Sequence, residues 1–346
     1  MHITFIENSF NFTASSLNIK AIDSVQKNLI YFTKELSKIG HKISVFNQTD
    51  KDIIEDGVSW RNINSIKKLR TDVLIVCDDI NYISVDCSAN IKIFWLNYQV
   101  DNNIEKKMLI NLIKNKFMIL YSSHSLVSRL EKNFNYVPKV FIGNGVAEEF
   151  FNPNNSNIRK SCALVTTHPL RGLEWLIEVW VKIISLKLPW AEMHVFSRSL
   201  SAEKYSKNIK INNLKLKLKK YKNSGIIIKK PLPQSEFINT LSNYRVHLDP
   251  CNSDNFISLS LLESQAAGIP VVSRSNNNIF NTIYNNETGY VADNEYTFAQ
   301  KTINLLNDNA LFLRISSNSK LNNYVKKWSE IAQNFERIVN ENSIYR

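Results

Sequence analysis

Short apolar runs alternate with stretches of helical periodicity along the whole chain. His2-Ile3-Thr4-Phe5-Ile6 predicts a strand, and a polar loop through Asn8, Asn11 and Ser15 follows it. Val25, Leu29, Phe32, Leu36 and Ile39 then recur at helical spacing up to Gly40, after which Ile43 to Phe46 returns to strand. Further apolar runs start at Val73, Ile91, Phe117 and Val140, with helical patterns from Ile104 to Ile113 and from Leu126 to Phe134 between them. The second half repeats the design. Strands are predicted at Ala163, Met193, Ile226 and Val246, and a helix carries Leu173, Leu176, Ile177 and Ile184. Such alternation predicts parallel sheets covered by helices on both faces.

A chain of 346 residues suits two domains. Gly143-Asn144-Gly145 permits a tight turn, and the polar tract from Asn154 to Lys160 has the composition of a linker. The expected domains are therefore residues 1–153 and 160–323, with a closing segment at 324–346. In parallel sheets ligands sit at the carboxyl ends of strands. In the first half this points to the loops after Ile6, Val76, Trp95 and Leu120. Residues 7–21 contain no glycine, so a G-x-G-x-x-G phosphate cradle is absent there and no nucleotide is expected in this half. Trp95-Leu96-Asn97-Tyr98 and Tyr121-Ser122-Ser123-His124 stand at predicted strand ends as candidates for acceptor binding or catalysis. Capping and loop hydrogen bonds are the alternative reading for them.

The segment from Tyr244 to Ala292 carries the most chemistry. It reads as one βαβ unit: a strand at Val246 to Leu248, a polar loop of Asn252, Ser253, Asp254 and Asn255, a helix bearing Leu259, Leu261, Leu262, Ala266 and Ala267, a cap at Gly268 and a strand from Val271. A polar loop that feeds a helix start offers backbone amides to an anion, which makes Ser258, Leu259 and Ser260 a phosphate site in outline. Glu263, one turn further on, suits sugar hydroxyls better than phosphate. Arg171, at another helix start, opposes the dipole unless an anion binds nearby.

Hydrophobic residues make up 44% of the chain, enough for two cores. No run approaches the ~20 apolar residues of a membrane span, and no signal-peptide pattern opens the chain, so a soluble cytoplasmic protein is expected. Cys77, Cys87, Cys162 and Cys251 lack metal or disulfide spacing. The net charge of +12 permits nucleic acid, an anionic membrane surface or a phosphorylated substrate as partner. Much of the excess lies between Lys204 and Lys230, which reads as a solvated face or as an anionic-lipid contact. No nucleic-acid module accompanies it, and nucleic acid is not expected.

KELSKIGHKISVF from Lys34, IGNGVAEEFF from Ile142, THPLRGLEWLIEVW from Thr167, and LLESQAAGIPVV with NNETGYVA near the end, in this order, resemble the family 4 glycosyltransferases of the GT-B fold. The resemblance implies two Rossmann-like α/β domains facing a central cleft. It implies a nucleotide-sugar donor on the second domain, an acceptor on the first, transfer with retention of configuration, no metal or other cofactor, and a last helix, Tyr324 to Glu341, that crosses back onto the first domain. Carried over by position, Glu263 matches the carboxylate on the donor ribose and Arg171 the cation on the diphosphate. Thr166 stands where a second basic residue is common. Asn255 replaces the first carboxylate of the pair, with Asp254 beside it, and Asn97 replaces a histidine near the reacting sugar. Asparagine keeps hydrogen-bonding capacity but has no titratable proton. The expected activity is sugar transfer to a hydroxyl of a surface glycan or lipid-linked saccharide at the cytoplasmic face of the membrane. The alternative is a catalytically idle GT-B module that binds a glycan or partner enzyme.

Overall fold

The computed structural model describes residues 1–98, 102–123, 126–127, 130, 134–152, 160–251, 258–275, 282–321 and 325–344. The chain divides into two compact units, Met1–Gly145 together with Lys326–Arg346, and Val146–Val325. The tract read as a linker lies outside the described residues apart from Lys160.

The first unit is built on eight strands: His2–Ile6 (β1), Lys42–Asn47 (β2), Ile53–Glu55 (β3), Val58–Asn62 (β4), Leu69–Cys77 (β5), Cys87–Leu96 (β6), Phe117–Tyr121 (β7) and Lys139–Phe141 (β8). They lie in the order β3-β4-β2-β1-β5-β6-β7-β8. All neighbours run parallel except β3 and β4, a hairpin turning on Asp56 (φ 51°) and Gly57 (φ 74°). Two successive positive φ values make this a type I′-like turn, for which Asp-Gly is a favoured pair.

Helix Ser24–Lys38 covers this sheet, and its start is closed by a capping box between Asp23 and Gln26. Its apolar stripe, Leu29, Phe32 and Leu36, is buried as the period requires. Phe32 is the hub of an aromatic cluster, with ring centroids 6.0 Å from Phe5, 5.4 Å from Trp95, 5.7 Å from Trp328 and 5.2 Å from Phe335. Trp328 and Phe335 belong to helix Trp328–Ile344, so the end of the chain is part of the first unit's core. Gly145 makes room for this helix: a Cβ there would lie 2.6 Å from the Trp328 ring. Of the pattern from Leu126 to Phe134, Leu126, Leu130 and Phe134 are buried, and the Phe134 N–H donates to the Leu130 carbonyl at 3.0 Å.

After the two-residue strand Gly145–Val146 (β9), the second unit has six strands: Cys162–Val165 (β10), Glu192–Phe196 (β11), Ile226–Lys229 (β12), Val246–Asp249 (β13), Val271–Arg274 (β14) and Gly289–Ala292 (β15). All are parallel in the order β12-β11-β10-β13-β14-β15, the doubly wound arrangement. Leu173–Val179 and Glu295–Asn307 pack on one face, burying Leu173, Leu176, Phe298 and Leu305 against Val165, Val195, Leu248 and Val272. On the other face Leu261 of helix Leu259–Ala266 joins Val271, Ile283 and Val291. The helix predicted through Ile184 is continuous to Lys187 but passes through a π turn at Trp180–Ile184, with the Trp180 indole N–H on the Ser224 carbonyl at 2.8 Å.

The basic stretch forms helix Ile209–Lys220, and two of its lysines are engaged within the unit. Lys217 pairs with Glu178 at 2.5 Å and Glu174 at 3.2 Å, while Lys215 donates to the carbonyls of Ala202 and Lys204. Among the described residues no helix is long and apolar enough to cross a membrane.

Candidate active site

The strand order of the second sheet reverses between β10 and β13. At such a point the loops leaving two neighbouring strands diverge, and the crevice they leave is where doubly wound sheets take ligands. Alternation along β13 decides what faces it. Val246 and Leu248 enter the core beneath Leu173–Val179, so His247 and Asp249 lie on the opposite face of the sheet.

His247 is fully buried, and burial pulls its imidazole down to about 3, with a contact to the Ser260 main chain working the other way. The ring is therefore neutral at pH 7, with one nitrogen donating and the other accepting. Nδ1 meets Ser264 Oγ at 2.8 Å and Nε2 meets Thr166 Oγ1 at 3.1 Å. The Thr166 hydroxyl also meets Ser260 Oγ at 2.7 Å, and Ser260 meets Ser258 Oγ at 2.7 Å. This chain ties the end of β10 to the first turn of Leu259–Ala266, where the Leu259 and Ser260 amides precede the first intrahelical bond, from the Leu261 N–H to the Ser258 carbonyl at 3.0 Å. Asp249 accepts from Thr167 Oγ1 at 2.8 Å, Ser273 Oγ at 3.2 Å and the Cys251 N–H at 3.4 Å. Burial raises its pKa, while these donors and the Arg171 charge act to lower it.

Arg171 is exposed on a turn closed by its own N–H to the His168 carbonyl at 2.8 Å. The next residue sets how near this loop comes to β13. Gly172 has φ +94°, and a Cβ there would lie 2.3 Å from the Pro250 carbonyl oxygen, so the two loops touch only because this position is glycine. Glu263 is 3% exposed, and its Oε1 accepts from Gln234 Nε2 at 3.5 Å.

Residues 161–308 match the family model of the group 1 glycosyl transferases. The matched stretch makes up most of the second unit, Val146–Val325. The chain matches none of the curated proteins. Among solved structures it is similar to sucrose-phosphate synthase from Thermosynechococcus elongatus at 12% identity and TM-score 0.75, with 100% of both chains covered. It is similar to Anabaena HepE, solved in complex with UDP-glucose, at 10% identity and TM-score 0.73, covering 99% of this chain and 100% of that one. A glycosyltransferase from Rickettsia africae gives 16% identity and TM-score 0.71, with 98% of each chain covered. At such identities the likeness carries the fold, which is the GT-B fold expected from the sequence.

Within the second unit the structure brings Thr166, Ser258 and Ser260 into one hydrogen-bonded chain, with Leu259 buried between the two serines. Glu263, expected to meet sugar hydroxyls, lies buried beside Gln234, because the helix turns its fifth residue toward the unit's interior. Asn255 and Asp254 lie outside the described residues. Sequence reading passed over His247, Asp249 and Ser264. A usable signal was present: two polar residues at alternate positions of an otherwise apolar strand.

Asn97 follows β6 in the first unit, where Asp78 holds it. The Asp78 carboxylate accepts from the Asn97 N–H at 2.7 Å, Asn97 Nδ2 at 3.0 Å and the Tyr98 N–H at 3.3 Å. Asn97 Nδ2 also donates to the Trp95 carbonyl at 3.5 Å, and with its side-chain hydrogens so engaged Asn97 offers Oδ1, an acceptor, to other groups. Burial pushes Asp78 up to about 7 against the pull of these three donors, and Glu7, at the end of β1, is also raised by burial. Of the other strand-end group, Ser122 and Ser123 are buried and His124 lies outside the described residues.

The neutral His247 makes a testable contribution to stability. Its unfolded pKa of 6.5 exceeds the folded value of about 3, so below pH 6.5 the unfolded chain binds the extra proton. The contribution is whole above pH 6.5 and is lost as pH falls toward the folded value. Urea unfolding between pH 7 and pH 4.5 is expected to show a steeper loss in the parent than in His247→Asn, by up to about 1.4 kcal/mol per pH unit, the limit for one proton. Parallel profiles would show that His247 is not held neutral.

Proposed function

We propose that this protein transfers a sugar from a nucleotide diphosphate sugar to a hydroxyl of a surface glycan or lipid-linked saccharide, with retention of anomeric configuration. The observation that carries the reading is the chain Ser258–Ser260–Thr166–His247 at the switch point, beside the Arg171 loop. The first-turn amides and hydroxyls of Leu259–Ala266 receive the donor diphosphate, and Arg171 supplies the cation, a role metal ions fill in other enzymes. Glu263, oriented by Gln234, is the acceptor for ribose hydroxyls, and Asn255 or Asp254 faces the sugar. UDP-glucose, bound by the Anabaena protein of the same fold, is a donor of this class.

In the transfer, the acceptor oxygen bonds to the anomeric carbon as the bond from that carbon to the β-phosphate oxygen breaks. The hydroxyl proton leaves for the departing phosphate, since Asn97 has no titratable site to receive it. Asn97 positions a hydroxyl through Oδ1, and Asp78 fixes the amide that does so. The first unit thus holds the acceptor. Exposed Lys207, Lys210, Lys219 and Lys222, with exposed Tyr205 and Ile209 among them, suit an anionic membrane face, where each basic group near the surface contributes about 1 kcal/mol. Retention on anionic but not neutral vesicles checks that half of the reading.

Nucleotide binding tests the donor site. At about 100 times the dissociation constant, UDP, ADP or GDP is expected to stabilise the protein by roughly 2.7 kcal/mol, read as a rise in Tm, and Glu263→Ala is expected to remove most of it. If none of the three raises Tm, the donor-site reading is wrong. Nucleotide binding without hydrolysis or transfer of any donor sugar would instead make this an idle module, the reading that Asn97 in place of a titratable group favours.

A further inference from the structure

At the opposite end of the second sheet, the amino ends of β10 and β11 bring Cys162 beside two side chains that lie far from it in the sequence. Cys162 and Glu192 are register partners in the parallel pair, and His194 follows Glu192 by two positions, on the same face of β11. Their ligating atoms, the cysteine Sγ, a glutamate carboxylate oxygen and a histidine ring nitrogen, all lie within 4.8 Å of one another. We propose that Cys162, Glu192 and His194 form a binding site for one zinc-class divalent cation that pins β10 to β11.

The donor set decides the class of ion. A thiolate and an imidazole disfavour magnesium and calcium, which take oxygen ligands, and favour zinc, which takes sulfur at about 2.3 Å, nitrogen at about 2.0–2.1 Å and carboxylate oxygen at about 2.0–2.2 Å. Three protein ligands leave a fourth tetrahedral position for water. Closing the site asks for a contraction of about 1 Å in the widest separation, and Glu192 can supply it, because its side chain is about half exposed (52%) while Cys162 and His194 are fixed in the strands.

The histidine is already oriented as a ligand. Its Nδ1 meets the hydroxyl of buried Tyr244 at 3.0 Å, leaving Nε2 directed at Glu192 Oε2, 2.9 Å away. The Tyr244 ring also packs edge-on against the imidazole, with centroids 5.4 Å apart. An outer partner on the far ring nitrogen is the usual support of a metal-bound histidine, and the tyrosine hydroxyl can accept from Nδ1 when Nε2 binds the ion. Lys160 and Lys229 act electrostatically on both Cys162 and His194 and oppose an added cation. The two negative charges of Glu192 and a Cys162 thiolate offset them. Thr166 lies four residues along β10 from Cys162, about 13 Å at strand rise, so the ion would brace the sheet beneath the candidate active site without meeting its ligands.

Cobalt substitution tests the site with no sugar or nucleotide present, so its failure is separate from any failure of the transferase reading. The chelator-stripped full chain is expected to take up one equivalent of Co²⁺ with a thiolate-to-cobalt charge-transfer band, to lose the ion to Zn²⁺ and to keep it in excess Mg²⁺. Cys162→Ser is expected to abolish the band, and His194→Ala and Glu192→Gln to weaken Zn²⁺ binding at least tenfold. Cys87→Ser, in the other unit, is expected to leave the spectrum unchanged. Absence of the band in the parent protein, its survival in Cys162→Ser, or unaltered Zn²⁺ affinity in Glu192→Gln would overturn the proposal. Glu192→Gln changes an exposed side chain, which keeps the test open if the buried variants fail to fold.

Discussion

Replacing Arg171 with alanine is expected to slow sugar transfer by about two to three orders of magnitude, the range seen when one preorganised donor to a developing charge is removed. The charge that develops here is on the leaving diphosphate, and the arginine stands on a loop whose approach to β13 depends on Gly172 meeting the Pro250 carbonyl. Arg171 is exposed, so its loss is expected to leave the folded state intact. Nucleotide affinity should fall less than the rate, about tenfold to a hundredfold, as suits the loss of a charge-assisted contact worth about 1.5–3 kcal/mol. Arg171→Lys keeps the charge without the planar fork and is expected to fall between the two. Initial rates of donor hydrolysis and transfer, measured beside nucleotide-induced Tm shifts, check this. Unchanged rates in Arg171→Ala would remove the residue from the diphosphate site.

The largest expected effect on stability is at Phe32. Its ring is fully buried and packs on four other aromatic rings from β1, β6 and the C-terminal helix. Truncation leaves a cavity among groups that cannot all move inward, and Phe32→Ala is expected to cost about 3–5 kcal/mol. The C-terminal helix should loosen as well, since Trp328 and Phe335 each lose a partner. Urea unfolding reads the first effect, and limited proteolysis in the segment before Trp328 reads the second. A cost below about 1 kcal/mol would mean that the neighbouring rings close over the gap, which aromatic side chains held on three separate elements are poorly able to do.

Much of this fold was legible in the chain because its signals are local. The stripe Leu29, Phe32 and Leu36 has one helical face to bury and is buried on it. The run from Val73 to Val76 is apolar on both sides because helices cover both faces of a parallel sheet, and such a run reads as strand without any partner being named. The Asp56-Gly57 hairpin, by contrast, was not read from the sequence although its turn pair is local, because the strands flanking it are only three and five residues long. Other features escaped for equally physical reasons. Which way the helix carrying Glu263 turns its carboxylate depends on what packs beneath it, and the interior position beside Gln234 comes from another element 29 residues away. The π turn at Trp180–Ile184 accompanies an indole bonded to the Ser224 carbonyl, 44 residues on.

The sequence by itself determined the α/β class, the two-part organisation and the candidacy of Arg171 and the Ser258-to-Glu263 stretch, since periodicity and short motifs are properties of neighbouring residues, while Thr166 entered only through the family resemblance. Strand order and register were decided only by the tertiary structure. They place His247 between Thr166 and Ser264, bring the Arg171 loop against β13, and set Cys162 opposite Glu192 beside His194. The physical reason is that a strand's pattern states which side it must bury, whereas its neighbour and register are settled by the packing of all the elements at once.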